Sequence, residues 1–327
     1  MKKPHIFRVP PKDFIASLEI AVCYTSCKGK YLFLYRSKKC SQPHTWCTPG
    51  GKLEPKESPI DAVIRELKEE TSVELDPKKT TSLGALYIRG IDIDYTCHLF
   101  TYDFLEEPTI SLSSEHECYK WLFFKEALQL PLIKGEPEVI FHFSALTKLP
   151  VIPRKSFYFV RHGQTDLYEG ESIQFTDPDL PLNNIGKKQA FFIQNTISQL
   201  PIKTVSFSPL QRAKETKEII TNSLNVEHFE NPKLKECNAD TWIKMVLFEE
   251  GQGYKSHPEV ESFLSNALEG ISQSLAYDGS TLIIAHGGVH WALCYHLSLV
   301  DHPWKIDHCK VVHFEPVGVS SWKATII

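Results

Sequence analysis

Three strand-like runs in the second half of the chain, FYFV (157–160), TVSFS (204–208) and TLIIA (281–285), are separated by segments of helical character at 185–200 and 211–224. Strands alternating with helices predict an open, largely parallel sheet with helices packed against it. Such a sheet also dictates where ligands go. The loops beyond the carboxyl ends of the strands part there and form a crevice.

Each run leads into residues that suit an anion. FYFV is followed by Arg161, His162 and Gly163; TVSFS by Pro209, Leu210, Gln211 and Arg212; TLIIA by His286, Gly287 and Gly288. Parallel pairing brings these ends to one edge, so two guanidinium groups and two imidazoles converge. A phosphoryl group satisfies that cluster, because arginine grips it with paired hydrogen bonds. Gly163 and Gly287 let the backbone approach, and helix N-termini add N–H donors.

The first half has a different signature, GKLEPKESPIDAVIRELKEETSV (51–73). Ile60, Val63, Ile64 and Leu67 recur at helical spacing; Ser58 suits the N-cap and Pro59 the first helical position. YLFLYR and CHLFTYDF read as strands on either side. Glu66, Glu69 and Glu70 are three and four positions apart, on one side of that helix. Three aligned anions repel unless a cation joins them, and Mg²⁺ takes oxygen ligands of this kind. Arg65 and Glu57, about two turns apart, are placed to tie the helix to its preceding loop.

This segment resembles the Nudix box, GX5EX7REUXEEXGU, with Gly51, Glu57, Arg65, Glu66, Leu67, Glu69, Glu70 and Val73 in register and TPGG (48–51) before it. Ser72 stands where the last glycine belongs, a substitution costing about 1 kcal/mol if φ is positive. The resemblance implies a MutT-like hydrolase domain of α/β/α sandwich form with a mixed sheet. It implies Mg²⁺, or Mn²⁺, held by Glu66, Glu69, Glu70 and the Gly50 carbonyl, with Glu66 also catalytic. A further acid comes from the loop SSEHECYKW (113–121), Glu115 or Glu117, with Glu115 assigned as the metal ligand. Trp46 could stack on a base or simply pack.

RHGQT, DPDLPLNNIGKKQA, FSPLQRAKETKEII, LKECNADTW and IIAHGG, in that order, resemble the histidine phosphatase (phosphoglycerate-mutase-like) superfamily. The resemblance implies a mostly parallel three-layer α/β/α domain and a phosphohistidine mechanism without cofactor. His162 would be the nucleophile. Arg161, Arg212 and His286, with Gly163 and Gly287, would bind the phosphoryl group, and Glu236 would be the acid. Two departures, DLY at 166–168 and Asp240 in place of a common glycine, bear on the leaving group. Residues 242–265 read as a helical cover over the site.

At 327 residues the chain exceeds what one core usually serves. The proline-bearing seam LTKLPVIPRKS (146–156) divides it into a Nudix domain at 1–148, a linker at 149–154 and a histidine phosphatase domain at 155–327. A net charge of −4 without a basic run gives no reason to expect a nucleic-acid polymer or an anionic membrane as partner. There is no signal-like apolar core near the start and no span-length apolar run. Nine cysteines, none in CxxC spacing, read as scattered reduced thiols in a cytoplasmic protein rather than disulfides or zinc ligands. The pair of resemblances implies a bifunctional hydrolase of nucleoside triphosphates, including oxidised guanine nucleotides. Dinucleoside polyphosphates are the competing substrate, and a nucleotide-sensing binding protein is the competing class. Absence of proline in Thr80–Tyr95 speaks against ADP-ribose.

Overall fold

A computed structural model describes residues 4–90, 93–166, 179–249, 257–318 and 321–327. The chain divides into two compact α/β units, Met1–Thr147 and Lys148–Val317 with Trp322–Ile327. In the first, strands β1 (His5–Phe7), β2 (Leu18–Cys27), β3 (Lys30–Arg36), β4 (Trp46–Cys47), β5 (Gly50–Lys52), β6 (Thr81–Arg89), β7 (Asp94–Phe104) and β8 (His116–Leu122) accompany helices α1 (Pro59–Thr71), α2 (Phe124–Ala127) and α3 (Glu136–Leu146). The sheet runs β1-β6-β7-β2-β3-β4, with β5 on β2 and β8 on β3. It is mixed: β2 and β7 pair in parallel, while β6–β7, β2–β3 and β3–β8 are antiparallel.

Helix α1 lays its apolar stripe on this sheet. Ala62, Val63 and Leu67 join Ala21, Cys23 and Phe100 in one buried cluster. The remaining face of α1 is thereby committed to carboxylates. Ser58 caps the helix by accepting from the Asp61 N–H, and Pro59 opens it. The helix closes at Ser72 in the left-handed region, φ +60°, with its N–H donating to Lys68 O. A side chain is strained there, so Ser72→Gly should stabilise the first unit by about 1 kcal/mol. A urea transition read by first-unit tryptophan fluorescence checks this; a midpoint that falls or stays put would refute it.

The second unit contains β9 (Phe157–Arg161), β10 (Ile202–Phe207), β11 (Glu227–Glu230), β12 (Ser280–Ala285), β13 (Val311–Val317) and β14 (Ser321–Ile326). Its helices are α4 (Asn184–Ser198), α5 (Gln211–Ile220), α6 (Ala239–Glu249), α7 (Pro258–Leu275) and α8 (Gly287–Leu297). Sheet order is β11-β10-β12-β9-β13-β14. The β11–β10–β12–β9 pairings are parallel and β13 is antiparallel to β9. Both faces are covered, which explains the continuous apolar runs. Tyr158 and Val160 pack with Ala190, Ile197 and Ala213 of α4 and α5. Phe157 and Phe159 turn to the other face, where Phe157 stacks on Phe314 at 4.9 Å between ring centroids. Residues 242–249 and 257–265 of the expected cover fall in α6 and around the start of α7; residues 250–256 of it lie outside the described residues, as do Leu167 and Tyr168. Among the described residues no helix is long and apolar enough to cross a membrane.

Candidate active sites

In the second unit the register sets the site. Arg161 on β9 pairs with Ala285 on β12, and the His162 N–H donates to Ala285 O at 3.0 Å. Ser208, beyond β10, donates its N–H to Ile284 O at 3.0 Å. The three strand ends therefore meet, and the His162 and His286 rings lie 5.0 Å apart. Both rings are buried, 2% and 0% exposed, and Arg212 is 4% exposed.

The His162 Nδ1 lies 2.7 Å from the Gly163 carbonyl oxygen, which can only accept. Nδ1 therefore carries the hydrogen, and the lone pair belongs to Nε2. Burial, then the charges of Arg212 and Arg161, hold this imidazole well below the usual histidine range. His286 is pushed down by burial, by His162 and by the same two arginines, while its Nε2 meets Ser208 Oγ at 2.7 Å. Both rings are thus neutral near pH 7, and the two guanidinium groups supply the positive charge.

Glu236 enters from the segment after β11. Its carboxylate accepts from the Gly288 N–H at 3.0 and 3.2 Å and from the Cys237 N–H at 3.1 Å, at the N-terminus of α8. Burial raises its pKa, against those hydrogen bonds and the charges of Arg161 and Arg212. A carboxyl raised in this way is suited to carry a proton.

The glycines divide differently from the sequence reading. A Cβ on Gly163 would meet Gly186 O at 2.6 Å, and the Gly163 N–H is already committed to Thr216 Oγ1 at 3.0 Å. Its lack of a side chain thus serves packing against α4, not close approach to an anion. At Gly287 a Cβ would meet only ordinary contacts, the nearest 3.6 Å from Arg161 Nε. At Gly288 it would fall 2.2 Å from Glu236 Oε1, so this glycine is the one the site requires. Sequence reasoning also missed the loop after α8. Its Ile306 carbonyl accepts from Arg161 Nη1 at 2.6 Å, and its His308 ring lies 5.5 Å from His162. No linear signal marked that loop.

In the first unit the carboxylates gather around Glu70. This side chain is 7% exposed, and its Oε2 accepts from the Gly50 N–H at 3.0 Å. Burial raises the Glu70 pKa to about 8, with further upward push from Glu66 and Glu115. Half-buried Glu66 is raised by burial and by the charges of Glu69 and Glu115, against Arg65. Arg65 also grips Glu57 through two bonds of 2.8 Å and reaches Lys52 O at 3.1 Å, tying α1 to its preceding loop. Gly51 is required too, since a Cβ there would lie 2.3 Å from the Glu66 carboxylate.

Glu115 is the loop acid whose charge reaches the Glu66–Glu70 pair; Glu117 is exposed on β8. Glu69 stands outermost, 60% exposed and 3.4 Å from Arg65. His116 approaches Glu70 at 3.7 Å, yet burial and Arg36 lower its pKa to about 4, so this is no ion pair at neutral pH. A buried carboxyl forced up by neighbouring carboxylates is the arrangement a hard divalent cation relieves, and oxygen donors are what such a cation takes. The donor set therefore fits. Trp46 is 6% exposed and packs beside Tyr35, with ring centroids 5.1 Å apart. Buried Glu136 accepts from the Tyr24 hydroxyl at 3.0 Å and from Thr48, bracing the turn that carries Gly50; no motif pointed to it.

Residues 157–318 match the Histidine phosphatase superfamily (branch 1), and residues 18–143 match the NUDIX domain. The chain is 31% identical over 147 residues to "Uncharacterized phosphatase PhoE" of Bacillus subtilis, covering 42% of this chain and 75% of that protein. It is 29% identical over 129 residues to "CTP pyrophosphohydrolase" of Escherichia coli, covering 39% and 93%. It is 30% identical over 193 residues to "Agropine synthesis reductase" of Rhizobium rhizogenes, covering 55% of this chain and 44% of that one. The chain thus spans less than half the length of this last relative. Nudix domains generally use divalent metals such as Mg²⁺. The chain belongs to the histidine phosphatase superfamily (branch 1) through residues 157–318 and carries a NUDIX domain in residues 18–143.

Proposed function

We propose that the protein is a bifunctional nucleotide-processing hydrolase. The first unit cleaves a phosphoanhydride of nucleoside triphosphates, and the second removes a terminal phosphate through a phosphohistidine. The observation that carries this reading is the gathering of neutral His162, His286, Arg161, Arg212 and Glu236 at one sheet edge. The name of the CTP pyrophosphohydrolase relative supports a nucleoside triphosphate as substrate of the first unit.

In the second unit, His162 Nε2 attacks phosphorus, and the N–P bond forms as the P–O bond to the leaving group breaks. Arg161, Arg212 and His286 hold the non-bridging oxygens and absorb their charge. Protonated Glu236 passes its proton to the leaving oxygen. Water then attacks the phosphohistidine and returns a proton to Glu236, freeing phosphate and the neutral ring.

In the first unit, Glu66, Glu69, Glu70, Glu115 and the Gly50 carbonyl hold Mg²⁺ or Mn²⁺. The bound metal supplies charge neutralisation for the pyrophosphate and Lewis-acid activation of water. Glu66 is the catalytic carboxylate, and Arg65 with Glu57 holds the helix that presents it.

Phosphate and pyrophosphate release from a panel of nucleotides, with and without EDTA, tests the assignment. Dinucleoside polyphosphates belong in the panel, and each product is identified by mass. Anhydride cleavage should vanish with EDTA, while dephosphorylation persists. Tight nucleotide binding without turnover would defeat it in favour of a sensor.

A further inference from the structure

Outside both sites, three metal-ligating side chains converge among the described residues: His290, Cys294 and His302. His290 and Cys294 are one turn apart on α8, and His302 comes from the loop that follows. All three are buried, at 0%, 0% and 7% exposure. Their ligand atoms lie within 4.8 Å of one another. His290 Nε2 is 3.1 Å from His302 Nε2, and Cys294 Sγ lies 3.7 and 3.8 Å from Nδ1 and Nε2 of the His290 ring.

The hydrogen bonds on the far sides of the rings decide what this triangle wants. His290 Nδ1 donates to the Trp304 carbonyl at 3.0 Å. The His302 ring hydrogen-bonds the backbone at Ala324. With the His290 hydrogen on Nδ1, its Nε2 lone pair faces the Nε2 of His302. Ligand imidazoles that donate their second nitrogen to a carbonyl are the common pattern around a bound metal. The spacing of the two Nε2 atoms agrees as well. Tetrahedral zinc, with Zn–N of about 2.0–2.1 Å and Zn–S of about 2.3 Å, sets its ligands about 3.3 Å (N to N) and about 3.6 Å (N to S) apart.

We propose that His290, Cys294 and His302 form a structural site for a borderline-soft divalent metal, Zn²⁺ foremost. Two imidazoles and a thiolate suit such an ion, whereas Mg²⁺ takes oxygen. The metal would join α8 to the loop at 298–310. The first turn of α8 holds Glu236 through Gly288, and the loop holds Arg161 through Ile306. The three ligands are positioning residues for the phosphate cage.

Cobalt substitution tests the site on the full chain. Metal-free protein titrated with Co²⁺ should develop a near-ultraviolet sulfur-to-cobalt charge-transfer band, which Zn²⁺ abolishes. The band should be lost in Cys294→Ser and kept in Glu70→Gln, because the first unit's carboxylates cannot give a thiolate band. A wild-type protein without the band, or a folded Cys294→Ser that keeps it, overturns the proposal. If Cys294→Ser does not fold, thermal unfolding of the wild type decides. Zn²⁺ should raise the second-unit midpoint and EDTA should reverse it; no shift refutes the site.

Discussion

His162→Ala and the closer mimic His162→Gln should each lose about 10⁴-fold or more of metal-independent phosphatase activity, as enzymes do when the nucleophile goes. EDTA-sensitive anhydride cleavage should stay within about twofold of wild type, since the two chemistries are assigned to separate units. The argument rests on tautomer and charge. Gly163 O fixes the hydrogen on Nδ1, and burial with Arg212 and Arg161 keeps Nε2 unprotonated. An ordinary histidine would lose its lone pair as pH falls through about 6.5. This one should not, so kcat/KM for phosphate release should stay level on the acid side through pH 6. A covalent phosphoryl adduct, trapped by alkaline quench, should form on the wild type and on neither variant. Loss of both activities in a natively folded variant would sink the independent-sites reading. Undiminished phosphatase turnover would sink His162 as nucleophile.

The parts of this molecule that could be read from the chain are those where one residue type has one physical use. FYFV and TLIIA are apolar on consecutive residues because α4 and α5 cover one face and α8 with Phe314 the other. Parallel pairing then forces Arg161 and His286 to one edge. Helix α1 was legible because its apolar stripe, cap and carboxylate spacing agree. What stayed hidden depends on long-range pairing. Nothing in Asp94–Phe104 says that β7 pairs with β2 in parallel. The strands β13 and β14 and the loop before them carry no chemical motif, yet that loop anchors Arg161. Glu115 and Glu117 could not be separated by type. Their difference lies in position: the charge of Glu115, just before β8, reaches Glu66 and Glu70, whereas Glu117 lies within β8. Gly163 misled for a related reason, since its crowding comes from Gly186 on α4, far along the sequence.

Glu70→Gln should remove about 10³-fold of the EDTA-sensitive activity and, in EDTA, make the first unit more stable. The loss follows from withdrawing one anionic ligand, worth about 4 kcal/mol of charge stabilisation in a metal-assisted step. The gain follows from the metal-free carboxyl. Burial with Glu66 and Glu115 raises its pKa to about 8, against about 4.3 in the unfolded chain. The folded state holds that proton more tightly, so the group's contribution is full below about pH 4.3 and is lost as pH climbs through about 8. Glutamine never ionises, and the Gly50 N–H can still bond its amide oxygen. At pH 8 the variant should gain of order 2–4 kcal/mol over metal-free wild type, and near pH 4 almost nothing. Added Mg²⁺ should reverse the order by stabilising only the protein that binds it. Below pH 8 the ion must also displace the Glu70 proton, so wild-type affinity should fall about tenfold per pH unit. Thermal unfolding of both proteins in EDTA and in Mg²⁺ across that range reads all of this. A variant destabilised in EDTA at pH 8, or one that Mg²⁺ stabilises as much as wild type, would remove Glu70 from the metal site.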